Sequence, residues 1–161
     1  MVILGVDPGY EESGFCCWST DHGVLDHGKL GNADLLHIIE QHTIRGDPDV
    51  MAIERFKSYG KPIGDSSIHT IEWSGVFRHA FGMHTSHWVY RREVANWLTG
   101  GKSKDSFLLA ALTHYFGGQD RAIGTKRNPG VMYGLNNDER SALAVALTWG
   151  HINNRLKGAL R

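Results

Sequence analysis

Apolar positions along the chain fall into short runs that break on turn residues. The first run, Val2, Ile3, Leu4 and Val6, stops at Asp7 and is followed at once by Pro8-Gly9. A run rich in β-branched residues and bounded by Pro-Gly reads as a buried strand, with Asp7 at its C-terminal end. Gly14 to Ser19 reads as a second strand and Val24 to Leu30 as a third, with Asp21-His22-Gly23 turning between them. Connections this short favour an antiparallel meander. Asn32 is placed to cap a helix reaching about Ile44, with Leu35, Leu36, Ile38 and Ile39 on its apolar side. Beyond Gly46-Asp47-Pro48, residues 49–53 form another apolar strand that ends on Glu54. The helix before it allows a parallel placement beside the first strand, which would bring Asp7 and Glu54 to the same end of neighbouring strands.

The second half continues the alternation. Ser66 to Phe81 reads as an amphipathic helix whose apolar members are Ile68, Ile71, Val76, Phe77 and Phe81. His87 to Tyr90 suggests a fifth strand, Arg91 to Leu98 a short helix, and Thr99 to Lys104 a flexible basic loop. A helix from about Asp105 to Phe116 precedes a long irregular stretch, residues 117–137, rich in Gly and Asn and carrying Arg121, Lys126 and Arg127. Loops of that length are usually functional or disordered. A last helix spans about Asp138 to Leu156. The order β-β-β-α-β-α-β-α-α predicts one α/β domain over residues 1–161. Its five-stranded mixed sheet has three antiparallel strands, then parallel ones, and is flanked by helices.

Composition narrows the setting more than the function. The hydrophobic share of 41% and charged share of 21% are ordinary for a soluble globular protein. No apolar stretch approaches a membrane span, and with a strand beginning at residue 2 no targeting segment is expected. Cys16 and Cys17 are adjacent, so in a strand they point to opposite faces and suit neither a disulfide nor a metal pair. A reducing, cytoplasmic location is expected, the host cytoplasm for a virus-encoded copy. Formal charge is zero, from 17 basic and 17 acidic residues, which lacks the basic excess of many nucleic-acid binders. A local basic face matters more than the sum, so that class stays open.

The candidate chemistry rests on carboxylates. Asp7 alone is explained equally by bonding the amides of its own turn or by holding a metal ion. Glu54 at a matching strand end, and Asp138 at the start of the last helix, favour a shared ligand. Four stretches then carry a resemblance: Ile3-Leu-Gly-Val-Asp-Pro-Gly9 with Ser13-Gly14, Ala52-Ile-Glu54, Val94 to Lys104 ending Leu98-Thr-Gly-Gly-Lys-Ser-Lys104, and Asp138 to Leu147. In this order the set resembles the RuvC-type Holliday junction resolvases of the RNase H-like nuclease superfamily. The resemblance implies an RNase H-like fold and a structure-selective endodeoxyribonuclease acting on four-way DNA junctions as a homodimer. It also implies Mg²⁺, two ions per site with Mn²⁺ as a substitute, with Asp7 bridging the ions and Glu54 and Asp138 each binding one side. Two ions about 3.5–4 Å apart supply what phosphodiester hydrolysis needs, an activated water and a neutralised leaving oxygen.

One position departs from the family pattern. Where a fourth acid usually stands, one helical turn after Asp138, this chain has Ser141, which faces the same way but carries no charge, so that it acts on a metal through water or leaves the second ion weakly bound. Glu139 lies about 100° around the helix and, with Asn136, matches a capping box instead. Lys104 matches the family's basic loop residue and is expected at the DNA backbone, with Lys102, Arg91 and Arg92 extending that surface, although the two arginines also suit a solvated face. Phe56 and Tyr59 follow Glu54, where the family carries an aromatic that wedges into the junction; either equally suits a hydrophobic anchor for the loop. His79, His84 and His87 lack the partner ligands of a zinc site. The Ser66–Phe81 helix is the expected dimer surface. Alternatives are a related nuclease acting on a hybrid or flap, a junction-binding protein with impaired catalysis, and a kinase-like phosphate binder, for which the chain is short.

Overall fold

The chain was analysed as a computed structural model, which describes residues 1–41, 43–58, 60, 62–102 and 104–156. The early meander forms as the pattern predicts. β1 (Val2–Asp7), β2 (Glu12–Ser19) and β3 (Gly23–Gly31) pair antiparallel in sequence order. After helix α1 (Asn32–Glu40), strand β4 (Val50–Arg55) returns parallel to β1 on its other side. Helix α2 (Asp65–Phe81) then crosses to β5 (Ser86–Tyr90), parallel to β4, which completes the sheet order β3-β2-β1-β4-β5. A short helix α3 (Arg91–Val94) runs on as a π-helical turn (Ala95–Thr99). It is followed by α4 (Asp105–Tyr115), α5 (Gln119–Ala122) and α6 (Asn137–Ile152).

Strand alternation divides the core in two. Leu4, Val6, Met51 and Ile53 project toward Leu35, Ile39 and Phe77 of α1 and α2. Ile3, Cys16, Trp18, Ala52 and Val89 project to the other side, against α6, Leu112 and Phe116. Cys16 and Cys17 are both free and buried, one in each layer, as neighbours on a strand must be. Helix α6 supplies the largest share of its layer, with every residue from Ala142 to Leu147 fully buried.

Three expectations need correction. Asn32 is the first residue of α1 rather than its cap; its buried side chain turns back to Ser13 and the Gly9 carbonyl. Helices α1 and α6 end at Glu40 and Ile152, before the limits that apolar content suggested, since Ile44 and Leu156 pack from the segments that follow. Residues 117–137 are not a loose loop. They form α5 and a bridge between Gly124 and Pro129, and they bury Ala122, Met132 and Leu135 in the α6 layer. Those apolar residues are too widely spaced to give a periodic signal.

The close seat of α6 depends on two glycines. A Cβ on Gly5 would lie 2.0 Å from the Ala142 carbonyl oxygen, and one on Gly14 would lie 2.6 Å from that of Asp138. Neither contact is with a flexible side chain, so any larger residue must lift the helix. Gly5→Ala is therefore expected to cost about 3 kcal/mol of stability, at the upper end of overpacking penalties; equal urea midpoints for variant and wild type would refute this.

Candidate active site

The register that pairs Val6 with Ile53 carries Asp7 and Glu54 to the same end of β1 and β4. Both side chains point to the α6 side. Helix α6 brings its first turns over that end, because Gly14 admits the backbone of Asp138 and Gly5 that of Ala142. Its N-terminus is fixed by the expected capping box: the Asn136 side chain accepts from the Glu139 amide at 3.0 Å, and Glu139 accepts from the Asn136 amide at 2.7 Å. Glu139 is 7% exposed and its other contact is His27 on β3, at 3.3 Å. It is thus a structural acid, while Asp138 and Ser141 face the strand ends.

The turn after Asp7 is held by a small polar network. Ser13 donates to Asn32 Oδ1 at 2.6 Å, Asn32 Nδ2 donates to the Gly9 carbonyl at 3.0 Å, and the Gly9 amide donates to Ser13 Oγ at 3.1 Å. This closed triangle fixes Pro8-Gly9 and, through it, the direction of Asp7. Asn32 is thus a positioning residue that the sequence disguised as a helix cap.

Charge at the site is unbalanced. The Asp7 carboxyl is pushed up from 3.8 to about 7, chiefly by burial and then by Glu54, with Asp138 adding to the effect and Arg91 and the Ser141 hydroxyl, which hydrogen-bonds it, opposing. Burial also raises Glu54, while Arg91 again opposes. Two half-buried acids thus face one another with one guanidinium in partial compensation. Arg91, at the first turn of α3, is the counter-charge that sequence reading did not single out; Arg92 is exposed beside it and is not among the residues lining the cleft at Glu54. That cleft, about 30 Å³, is bounded by Glu54, Ser141, Arg91, Lys102 and Lys104. The π-helical turn and the left-handed Gly100 and Gly101 bring the two lysines to it. Lys102 is braced over the Phe107 ring at 4.7 Å. On the other side of Asp7 lies a hollow of about 300 Å³ bounded by Asp7, Glu12, Lys29 and Asp138.

Asp138 is already engaged. Lys29 pairs with Gly14 across β2 and β3, and its ammonium lies 3.0 Å from Asp138 and 3.1 Å from Glu12. Among the described residues no three His, Cys, Asp or Glu side chains stand close enough to enclose an ion. The donor chemistry nevertheless fits a hard cation at Asp7 and Glu54: both are carboxylates, and their mutual repulsion is what a divalent ion would relieve. Asp138 would join them only on leaving Lys29, and Ser141 offers a neutral oxygen. Of the aromatic candidates, Phe56 is exposed just past Glu54, and Tyr59 lies outside the described residues. His87 stacks on Trp149 at 5.1 Å, away from any acid cluster.

An open sheet of two antiparallel and two parallel strand pairings, flanked by helices on both faces and carrying acids at the ends of β1 and β4, is an RNase H-like fold. It is similar to T. thermophilus RuvC solved in complex with Holliday junction substrate, with a TM-score of 0.69 and 18% identity over 98% of this chain and 96% of that one. A second Thermus thermophilus RuvC structure gives 0.65 and 17%, covering 96% of each chain. Fowlpox virus resolvase, in complex with its substrate Holliday junction DNA, gives 0.56 and 13% over 95% of this chain and 99% of that one. No protein-family model and no curated protein sequence matches this chain.

Two outcomes follow from the charge balance. Because Asp7 titrates near 7 when folded and near 3.8 when unfolded, its contribution to stability is complete below about pH 4 and is lost as pH rises toward 7. Asp7→Asn should therefore stabilise the metal-free protein at pH 8, by on the order of 4 kcal/mol for a shift of this size, and hardly at pH 4. Equal thermal midpoints at pH 8 would count against it. Lys29→Met frees Asp138 and should tighten Mn²⁺ binding by roughly threefold, the modest scale of an exposed ion pair, as read by calorimetric titration; weaker binding would assign Lys29 a supporting role instead.

Proposed function

We propose that this protein is a metal-dependent endonuclease that resolves four-way DNA junctions. The observation that carries this reading is the half-buried, mutually repelling pair Asp7 and Glu54 beside the basic cleft of Arg91, Lys102 and Lys104, on a fold similar to that of junction resolvases. Asp7 and Glu54 would hold Mg²⁺, which when bound supplies an activated water and neutralises charge on the leaving oxygen. Lys102 and Lys104 grip the phosphate on either side of the cut, a role suited to ammonium groups held beside an anion site. Arg91 keeps both acids closer to their ionised forms. Ser141 orients Asp7 through its hydroxyl. A single chain holds one such centre, and cutting two opposed strands requires two. Helix α2 offers the pairing surface, since Ile68 and Ile71 are 44% and 43% exposed on its outer side, with Val76 nearby.

Ser141 supports a second reading, that the protein binds junctions but cuts them poorly, because a hydroxyl carries no charge to hold a second ion. One assay separates the readings. Purified protein is incubated with a synthetic four-way junction, a linear duplex and an RNA–DNA hybrid, in Mg²⁺ and in Mn²⁺. Paired nicks confined to the junction are expected, and Asp7→Asn should slow them by roughly three orders of magnitude, about 4 kcal/mol of barrier. Ser141→Asp should speed them by about tenfold, or 1.4 kcal/mol. Binding without cleavage in either metal, restored by Ser141→Asp, would favour the second reading. Cleavage of the hybrid alone would redirect the substrate.

A further inference from the structure

On the sheet face opposite the carboxylates, five side chains along the edge strand β5 alternate between cation and ring. The guanidinium carbon of Arg78, on α2, lies 4.5 Å from the centre of the Trp88 ring. That of Arg55, on β4, lies 5.3 Å from the same ring and 5.5 Å from Tyr90. Lys57 Nζ follows, 5.6 Å from Tyr90. All four separations lie within the roughly 6 Å over which a ring face holds a cation. The series follows from register. Parallel pairing sets Ile53 beside Trp88 and Arg55 beside Tyr90, so these side chains leave the sheet on one side.

Two features set this series apart from ordinary surface stacking. Arg55 and Arg78 crowd a single indole, yet among the described residues neither forms an ion pair with a carboxylate. Like charges fixed side by side create a positive potential that favours an anion. Arg78 is also rigid, donating from Nη2 to the Ser86 carbonyl at 3.0 Å and from Nε to Ser86 Oγ at 3.3 Å. A guanidinium held in place before binding loses little freedom when it meets a phosphate. The series starts where the cleft ends, since Tyr90 directly precedes Arg91 and Arg55 directly follows Glu54.

We infer that this cation–aromatic ladder is a second nucleic-acid-binding track, gripping the phosphate backbone of a DNA strand that runs past the carboxylate site and over the edge of β5. Assigning DNA as the ligand rests on the endonuclease reading. Because cations cover the ring faces, the contact is with phosphates rather than bases, and it is indifferent to sequence. The competing role is protective: charged side chains on an edge strand also deter pairing between sheets of different molecules.

The test uses the full chain carrying Arg55→Gln and Lys57→Gln together, both exposed substitutions, with an unchanged thermal midpoint as the folding check. Affinity for a four-way junction and for single-stranded DNA is measured in Ca²⁺ over a range of salt. At 0.1 M salt both affinities should fall about tenfold, and the slope of log affinity against log salt should become shallower by about two, one for each phosphate that the variant leaves without a cation. Arg55→Lys alone should keep the wild-type slope. Affinity and slope equal to wild type overturn the ladder, including where the variant self-associates, which assigns it to edge protection. If wild type binds no DNA, the endonuclease reading and the ladder fall together. If wild type binds and cuts but the double variant matches it, the ladder alone falls.

Discussion

The seat of α6 on the sheet is the constraint on which the site depends. Where Gly5 and Gly14 leave the strand surface bare, the helix backbone descends until the Ala142 and Asp138 carbonyls occupy the space a Cβ would take. That descent buries the continuous run from Ala142 to Leu147 and simultaneously lays Asp138 and Ser141 over the ends of β1 and β4. Packing and chemistry are therefore one event. A helix lifted by even a methyl group would weaken the core and separate the fourth side chain of the site from Asp7.

The site stores unfavourable charge because the fold gives it no alternative. Asp7 is anchored by its strand, and its turn is tied down by Ser13 and Asn32, so it cannot swing into water to escape Glu54. Arg91 relieves part of the repulsion and Lys29 draws Asp138 aside. Such tension is costly in the folded protein, and groups perturbed in this way concentrate at functional sites. The basic residues come from outside this rigid block, Arg91 from α3 and Lys102 and Lys104 from the segment after the π-helical turn, so the cations of the cleft and the carboxylates are supplied by different segments.

Much of this was legible in local pattern. The apolar runs ending on Asp7 and Glu54, the meander, the crossover helix and the capping box of Asn136 and Glu139 all concern neighbours in sequence, where strand alternation and cap geometry act directly. The sequence misled where a residue's role is set by a distant partner. Asn32 has the type and position of a helix cap, yet Ser13 and Gly9 claim its side chain. Arg91 and Arg92 are indistinguishable as a pair, and only the direction of α3 turns the first toward the acids.

The sequence by itself therefore determined the five strands, the helices other than α5, their order, and the two carboxylates at matching strand ends, because periodicity and turn chemistry are short-range. The tertiary structure alone decided how tightly α6 sits, which cation meets which acid, that residues 117–137 pack into the core, and that Arg55, Arg78, Trp88 and Tyr90 form one stack. Those outcomes depend on side chains far apart in the chain meeting at distances that only the assembled sheet and its helices fix.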